Sequence, residues 1–445
     1  MTTVTAPSPI PRSEPRGLRV QGMSVRRWLR TTPGHLRAWS VGLLVVLLAV
    51  GTVVGTAVQV RWNAARSVGS AGAPELVASE DLYSSLADAD ATASIIFLQA
   101  GRESPQLRQR YESDVQEAGQ HLATVAKDAG ASRAEQTAVQ EISSQLPIYA
   151  GYIETARANG SLGYPVGAAY LRQGSSLMRG SLLPAAITVY EQAATRLDNA
   201  YRSGTSTTEI LLVVLAGVLL FALLVGVQVR VGRRSRRILN PGLVCSTAVV
   251  IALLGWTIVQ LGSAQGSLVD AQRKGSDTVQ FLSATRILTL QAQSDDNTAL
   301  IERGSGQSYI TDFTNVLQSL NGTTGQALLP QARLVAARTG SAASIDRISS
   351  DLTTLGSTHA IVRGDDNAGN YTAAVTEATG AEANIVTQID DDVASEIASA
   401  QRRLDRSAAD ARSGFGTLAV GIPVLIILSG LLAFVGLQRR IGEYR

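Results

Sequence analysis

Four uncharged apolar runs, Trp39–Val60, Ile210–Val227, Leu243–Leu261 and Gly416–Leu437, set the terms for everything else this chain can fold into. Each has about 18–22 residues, the length at which a helix rising about 1.5 Å per residue crosses roughly 30 Å of hydrocarbon. Four such helices leave two long loops, one between the first two runs and one between the last two, with only a short link in the middle. The expected architecture is all-α: an integral membrane protein with four transmembrane helices at 39–60, 210–229, 243–262 and 416–437.

Arginine placement assigns the sides. The tail 1–38 carries Arg12, Arg16, Arg19, Arg26, Arg27, Arg30 and Arg37 against a single acid, Glu14. The link 230–242 carries Arg230, Arg233, Arg234, Arg236 and Arg237, and the stub 438–445 carries Arg439, Arg440 and Arg445. Basic residues flanking spans stay on the cytoplasmic side, which puts both termini inside the cell membrane and the loops 61–209 and 263–415 outside it. The formal net charge of +3 thus averages two opposite surfaces and does not point to nucleic acid. Ser24-Val25-Arg26-Arg27-Trp28-Leu29-Arg30 has the look of a twin-arginine export signal. The run behind it is long, very apolar and without a clean cleavage site, so it reads as a retained first span behind a disordered tail.

Composition closes off several classes of function. The one cysteine, Cys245, lies inside the third run, so neither exported loop can hold a disulfide, and no lipid-attachment cysteine follows the first run. His35, His121 and His359 are scattered and have no second ligand three or four residues further on, which argues against zinc or haem; no metal or other cofactor is expected. Gly-x-Ser-x-Gly, a phosphate-binding glycine loop and the kinase signatures are all missing, so no catalytic residue and no enzyme is expected. Spans with only Gln59, Gln228 and Gln260 near their ends weigh against an ion or proton path.

The two halves can be laid on one another. Asp90-Ala91-Thr92-Ala93 meets Asp296-Asn297-Thr298-Ala299, Asn159 and Tyr164 meet Asn367 and Tyr371, and Arg202-Ser203-Gly204 meets Arg412-Ser413-Gly414, at a nearly constant offset. The expected unit is span, four-helix bundle, span, used twice: two tandem extracytoplasmic four-helix bundles made by internal duplication. In the first, Leu82, Leu86, Ala89, Ala93 and Phe97 recur at helical spacing, Ser104-Pro105 reads as a helix start, and Ser132 with Glu135 reads as a capping box. Helices are expected near 60–101, 105–129, 132–158 and 166–208, the outer two running straight from the spans. In the second they are expected to 303, at 308–321 and 330–355, and from 371 into the last span. Asp90 and Asp296 read as solvated edges of their apolar stripes, Asp88 as fully solvated on the opposite face, and Asp390-Asp391-Asp392 as a solvated run. Pro184 and Pro423 are the expected kinks.

The most distinctive stretch runs from Glu154 to Arg172. Asn159-Gly160 reads as a left-handed helix end and Pro165 as the next helix start, so a plain interhelical turn explains Asn, Gly and Pro. Tyr164, Arg157 and Arg172 are not needed for a turn. The outer candidate partner site is accordingly Arg157, Asn159, Tyr164, Pro165, Tyr170 and Arg172, expected near the membrane-proximal end. The inner one is Arg233, Arg234, Arg236 and Arg237, which also serve as topology anchors and attract anionic membrane lipids. Gly51-x-x-x-Gly55 has a spacing that lets two helices approach, leaving room for a homo-oligomer.

Two tandem span–bundle–span units, arginine-rich inner segments, and Ala156-Arg157-Ala158-Asn159 followed by Tyr164-Pro165-Val166-Gly167-Ala168-Ala169-Tyr170-Leu171-Arg172 resemble the actinobacterial GlnX-like family of four-span membrane signalling proteins. The second half has Gly369-Asn370-Tyr371-Thr372 in place of the Tyr-Pro-Val-Gly turn. The resemblance implies a relay in which an extracytoplasmic amino-acid-binding lipoprotein engages the exported domains and a cytoplasmic Ser/Thr protein kinase responds to glutamate or aspartate. A transmembrane sensor or signal relay is the expectation; the alternative is a cell-envelope scaffold that binds other envelope proteins and transmits nothing.

Overall fold

The computed structural model describes residues 32–99, 104–128, 132–235, 241–302, 306–322, 327–338 and 340–442, and every regular element among them is helical. In chain order these are α1 (Thr32–Ser67), α2 (Ala73–Leu98), α3 (Pro105–Asp128), α4 (Arg133–Ser161), α5 (Val166–Leu177), α6 (Leu183–Thr205) and α7 (Thr207–Ser235). The second half has α8 (Pro241–Ala271), α9 (Asp277–Ile301), α10 (Gln307–Asn321), α11 (Leu328–Ala336), α12 (Ala342–Asn367), α13 (Tyr371–Glu377) and α14 (Ala383–Gly442). Among the described residues four helical runs are long and apolar enough to cross a membrane, Val41–Leu98, Val166–Arg230 (with a break at Ser206), Pro241–Ala271 and Tyr371–Gly436. Leu48, Leu211, Val259 and Val420 on them stay 67–70% exposed, a cost in water that lipid removes.

Among the described residues each half carries two π-turns, at Val68–Gly72 and Met178–Leu182 and again at Gln272–Ser276 and Ala378–Glu382. In each, the next amide bonds five residues back, Ala73 to Val68, Leu183 to Met178, Asp277 to Gln272 and Ala383 to Ala378. Pro74 and Pro184 follow the first two; a proline ring pushes on the preceding turn and offers no N–H, which a widened turn accommodates. Thr278 and Asn384 stand at those places in the second half, so proline is not required for the widening. The expected kink at Pro184 is therefore a π-turn just ahead of it.

One apolar core runs through both halves of the larger unit, which comprises 53–214 and 254–423. In the first half α2, α3, α4 and the α5–α6 helix surround it; in the second α9, α10 with α11, α12 and the α13–α14 helix do so. Helix α2 also packs along α9. That second contact removes the solvent face of α2, so residues read as polar edges are inside: Asp90 and Asp296 are each 1% exposed, and the side chain of Asp88 is 15% exposed. Asp390 is likewise withdrawn from water to bind Arg286.

Other expectations change in detail. Ser104 Oγ accepts from the Leu107 amide at 3.2 Å, as a cap should. Ser132 makes no side-chain cap, and the Glu135 side chain is not available for the other half of a capping box: it is fully buried and accepts from Arg196 Nη1 at 2.5 Å and Nη2 at 2.7 Å. The helix expected over 330–355 is interrupted after Ala336 by a turn whose Gly340 has φ +79°, a conformation favoured by glycine. The helix leaving the first half does not run straight into its span: Ser206 is extended (ψ 123°), and the wholly buried Arg61 donates to its carbonyl.

In the second unit, which holds the remaining parts of the apolar helices, Ser246 and Ser429 hydroxyls lie 2.8 Å apart. A Cβ on Gly242 would meet Gly436 Cα at 2.5 Å. Gly51 faces Ile426 of the same chain, so that glycine of the Gly51–Gly55 pair serves an internal contact.

Candidate functional site

The stretch Glu154–Arg172 forms a helix hairpin corner. Helix α4 continues past Asn159 and Gly160 to Ser161, and the left-handed residue is Gly163 (φ +73°), three positions later than the spacing had indicated. The Gly163 amide donates to Gly160 O and the Tyr164 amide to Asn159 O, both at 2.9 Å, the paired bonds of a Schellman turn. Pro165 then starts α5. Gly167 lets the two helices cross closely, since a Cβ there would meet Gly160 N at 2.9 Å and Ala156 O at 3.0 Å.

This corner lies against the end of α2 remote from α1: Gly160 sits over the Phe97 ring. The expected membrane-proximal placement is thus reversed. Of four helices alternating in direction, the third runs away from the point where the chain came in, so its link to the fourth closes the far end.

Between the corner, the end of α2 and the start of α3 is a cavity of about 470 Å³. Its floor is apolar, made by Ile96, Phe97, Ile153 and Leu171, with Ile301 from the second half. Its polar wall is made by Arg108, Tyr111, Glu154, Arg157, Tyr164 and Tyr371. Concave apolar walls with a few convergent polar groups are the usual make-up of a small-molecule site. Arg157 Nη2 is 2.6 Å from Glu154, and Arg108 Nε is 2.8 Å from Glu112, so both cations are held in place. Tyr111 is buried and its hydroxyl has no hydrogen-bond partner among the described residues; burial and the nearby Glu154 and Asp90 hold its pKa above the ordinary tyrosine value. On the rim, Leu162, Tyr164 and Val166 are 67%, 56% and 47% exposed, an apolar patch at a helix corner.

Below the floor, Asp90 Oδ1 accepts from Ser175 at 2.8 Å and Tyr149 at 3.3 Å, and Oδ2 from Ser294 of α9 at 3.4 Å. Burial raises its pKa and the three hydroxyls oppose that. Nearly three turns back along α2, Arg286 of α9 reaches Asp390 of α14 at 2.5 Å and both Glu80 (3.1 Å) and Asp81 (3.2 Å) of α2. One guanidinium faces three carboxylates. Burial outweighs its pull on Glu80, whose pKa is raised to about 7, and Asp88 is raised to about 7 by burial and by Asp390 and Asp114.

The outer candidate residues divide. Arg157, Tyr164 and Pro165 line the cavity. Asn159 is used by the turn, donating through Nδ2 to Thr155 O at 2.8 Å. Tyr170 packs on Tyr152, ring centres 6.5 Å apart. Arg172 lines a separate groove of about 1000 Å³, shared with Tyr152, Gln173, Arg179, Glu302 and Tyr309. There Arg179 lies over the Tyr309 ring at 4.7 Å and 3.8 Å from Asp295. Of the inner set, Arg233 and Arg234 fall in the last turn of α7 with side chains outside the described residues, and Arg236 and Arg237 lie outside them altogether. Sequence spacing missed Tyr111 and Arg108, which reach the cavity from other helices and share no motif with the corner, and it paired Tyr371 with Tyr164 across the two halves without indicating that both line one cavity.

No curated protein and no solved structure matches the chain. Residues 64–202 match the model of a family described as an actinobacterial sensor domain. That segment runs from the end of α1 through most of α6 and contains the corner and most of the cavity wall, so the part of this chain that carries the candidate site is similar to a sensor domain.

Proposed function

We propose that this chain is a non-enzymatic transmembrane sensor whose outer domains take a ligand or partner at the far corner and pass the occupancy through the spans. The observation that carries this reading is continuity: α2, whose end forms the cavity floor, is the same unbroken helical run as α1, which contains the first apolar stretch. A binding event that moves the end of α2 can be passed along this helical run, which includes the π-turn at Val68–Gly72. The sensor-domain similarity over 64–202 supports the same role. Matching element order and π-turns at corresponding places support two bundles made by duplication, and the arginine distribution supports an outward orientation with both termini inside.

The finer reading joins an extracytoplasmic solute-binding lipoprotein, for glutamate or aspartate, to a cytoplasmic Ser/Thr kinase. It rests on the family resemblance of the Tyr164–Arg172 stretch. The test is phosphoproteomics on cells shifted into glutamate or aspartate. Wild type is expected to change cytoplasmic Ser/Thr phosphorylation, and a deletion strain or Tyr164→Asp, present in the membrane at normal amount, is expected not to. An identical response in the deletion strain removes the relay and leaves the envelope scaffold.

A further inference from the structure

Three side chains from distant points of the sequence converge inside the second half. Asp296 of α9, His359 of α12 and Glu382, the last residue of the fourth π-turn, bring one ligand atom each within 4.8 Å of the others. Their exposures are 1%, 8% and 2%. His359 Nδ1 lies 3.0 Å from Asp296 Oδ1, and its ring is stacked on Phe313 with centres 3.8 Å apart, which fixes the imidazole plane. Arg363 Nη2 is 3.3 Å from Asp296 Oδ1 and Nη1 is 3.4 Å from Asp366, so the guanidinium is shared between two acids.

What this set lacks is a donor for the second carboxylate. Both oxygens of Glu382 and Asp296 Oδ2 are buried and receive no donor from any other side chain among the described residues; the two carboxyl groups lie within hydrogen-bonding reach of one another, so a proton shared between them is the competing occupant. Two carboxylates in one dry pocket with a single side of cationic contact are costly unless something positive sits between them. Nitrogen from one imidazole and oxygen from two carboxylates is a donor set for a divalent transition ion.

We propose that Asp296, His359 and Glu382 form a divalent transition-metal site, with zinc its first candidate and Arg363 beside Asp296 as its outer partner. A tetrahedral zinc with bonds of about 2.0–2.2 Å holds its ligand atoms about 3.4 Å apart, so closing the set takes side-chain shifts of about 1 Å. Arg363 acts as the outer partner that orients a ligating carboxylate. The ion ties α9 and α12 to the π-turn of the helix that continues into the last apolar run, and this holds whether or not the far corner binds a ligand.

The test uses the tag-free full chain in detergent, stripped with chelator, titrated with Zn²⁺ or Co²⁺ and desalted, with bound metal counted by plasma mass spectrometry and Tm recorded. The expected result is one retained equivalent, a higher Tm on loading, and affinity lowered at least about 100-fold in Glu382→Gln and in His359→Gln, since losing a ligand exceeds the loss of an outer partner. Should either variant fail to fold, the wild-type titration decides. No stoichiometric metal with no Tm shift overturns the site in favour of a shared proton, and equal metal in both folded variants overturns it by placing the ion elsewhere.

Discussion

At the scale of single residues, the chain buries charge in small groups and each group makes a distinct demand. Arg196 joins Glu75 at the start of α2 to the fully buried Glu135 at the start of α4. Arg196→Met strands Glu135 without its partner and is expected to cost about 3 kcal/mol, read by chemical denaturation; breaking one side of a buried pair costs roughly 3–5 kcal/mol. Pairing it with Glu135→Gln should recover part of the loss. Glu80 and Asp88 yield a pH dependence with a definite sign. Their folded pKa values, about 7, lie above the ordinary 4.5 and 3.8, so the folded chain binds more protons than the unfolded one between those limits. The stability they contribute is fully present below those ordinary values and is lost as pH rises through 7. Tm should therefore fall between about pH 4 and about pH 7 and level off above that, and Glu80→Gln with Asp88→Asn should flatten that slope. A slope unchanged in the double variant would show that these acids are not its source.

At the scale of elements, helix boundaries were legible because their signals are local. Ser104 and Pro105 start α3, Gly163 ends the α4 corner, and Pro165 starts α5, each within a residue or a few of what the sequence indicates. The break at Gly340 and the extended Ser206 were not legible: neither carries a proline, and Ser206 depends on Arg61, far away in sequence. Burial failed for the same reason in Asp90 and Asp296, since a stripe on α2 says nothing about a second helix, α9, covering its other face. Part of the candidate site was legible as the Arg157–Tyr164–Pro165 corner; Tyr111 and Tyr371, supplied by other helices, were not. The crossing of α4 and α5 gives an element-level test. Gly167→Ala pushes a methyl onto Gly160 N and Ala156 O, both backbone, and should destabilise by about 1–3 kcal/mol while distorting the cavity. Gly151→Ala, with nothing within 4 Å, should be neutral or stabilising by up to about 1 kcal/mol. Equal effects would contradict the close crossing.

At the scale of the whole molecule, the proposal is that an outer event at one corner has an inner consequence, and the division of candidate residues between two recesses sharpens it. Arg157→Glu alters the cavity and leaves Glu154 facing a second acid, whereas Arg172→Glu alters only the groove. If the partner covers the corner alone, the first variant weakens its capture and the second does not; loss in both indicates a footprint spanning both recesses. The measurement that tests the account most directly is photo-cross-linking in living cells from a reactive residue placed at Tyr164, which is 56% exposed on the cavity rim, with identification of everything retained. The account predicts an exported solute-binding protein joined at that residue and a soluble Ser/Thr kinase copurifying with the complex. Envelope-assembly proteins alone, with no cytoplasmic companion, would contradict it.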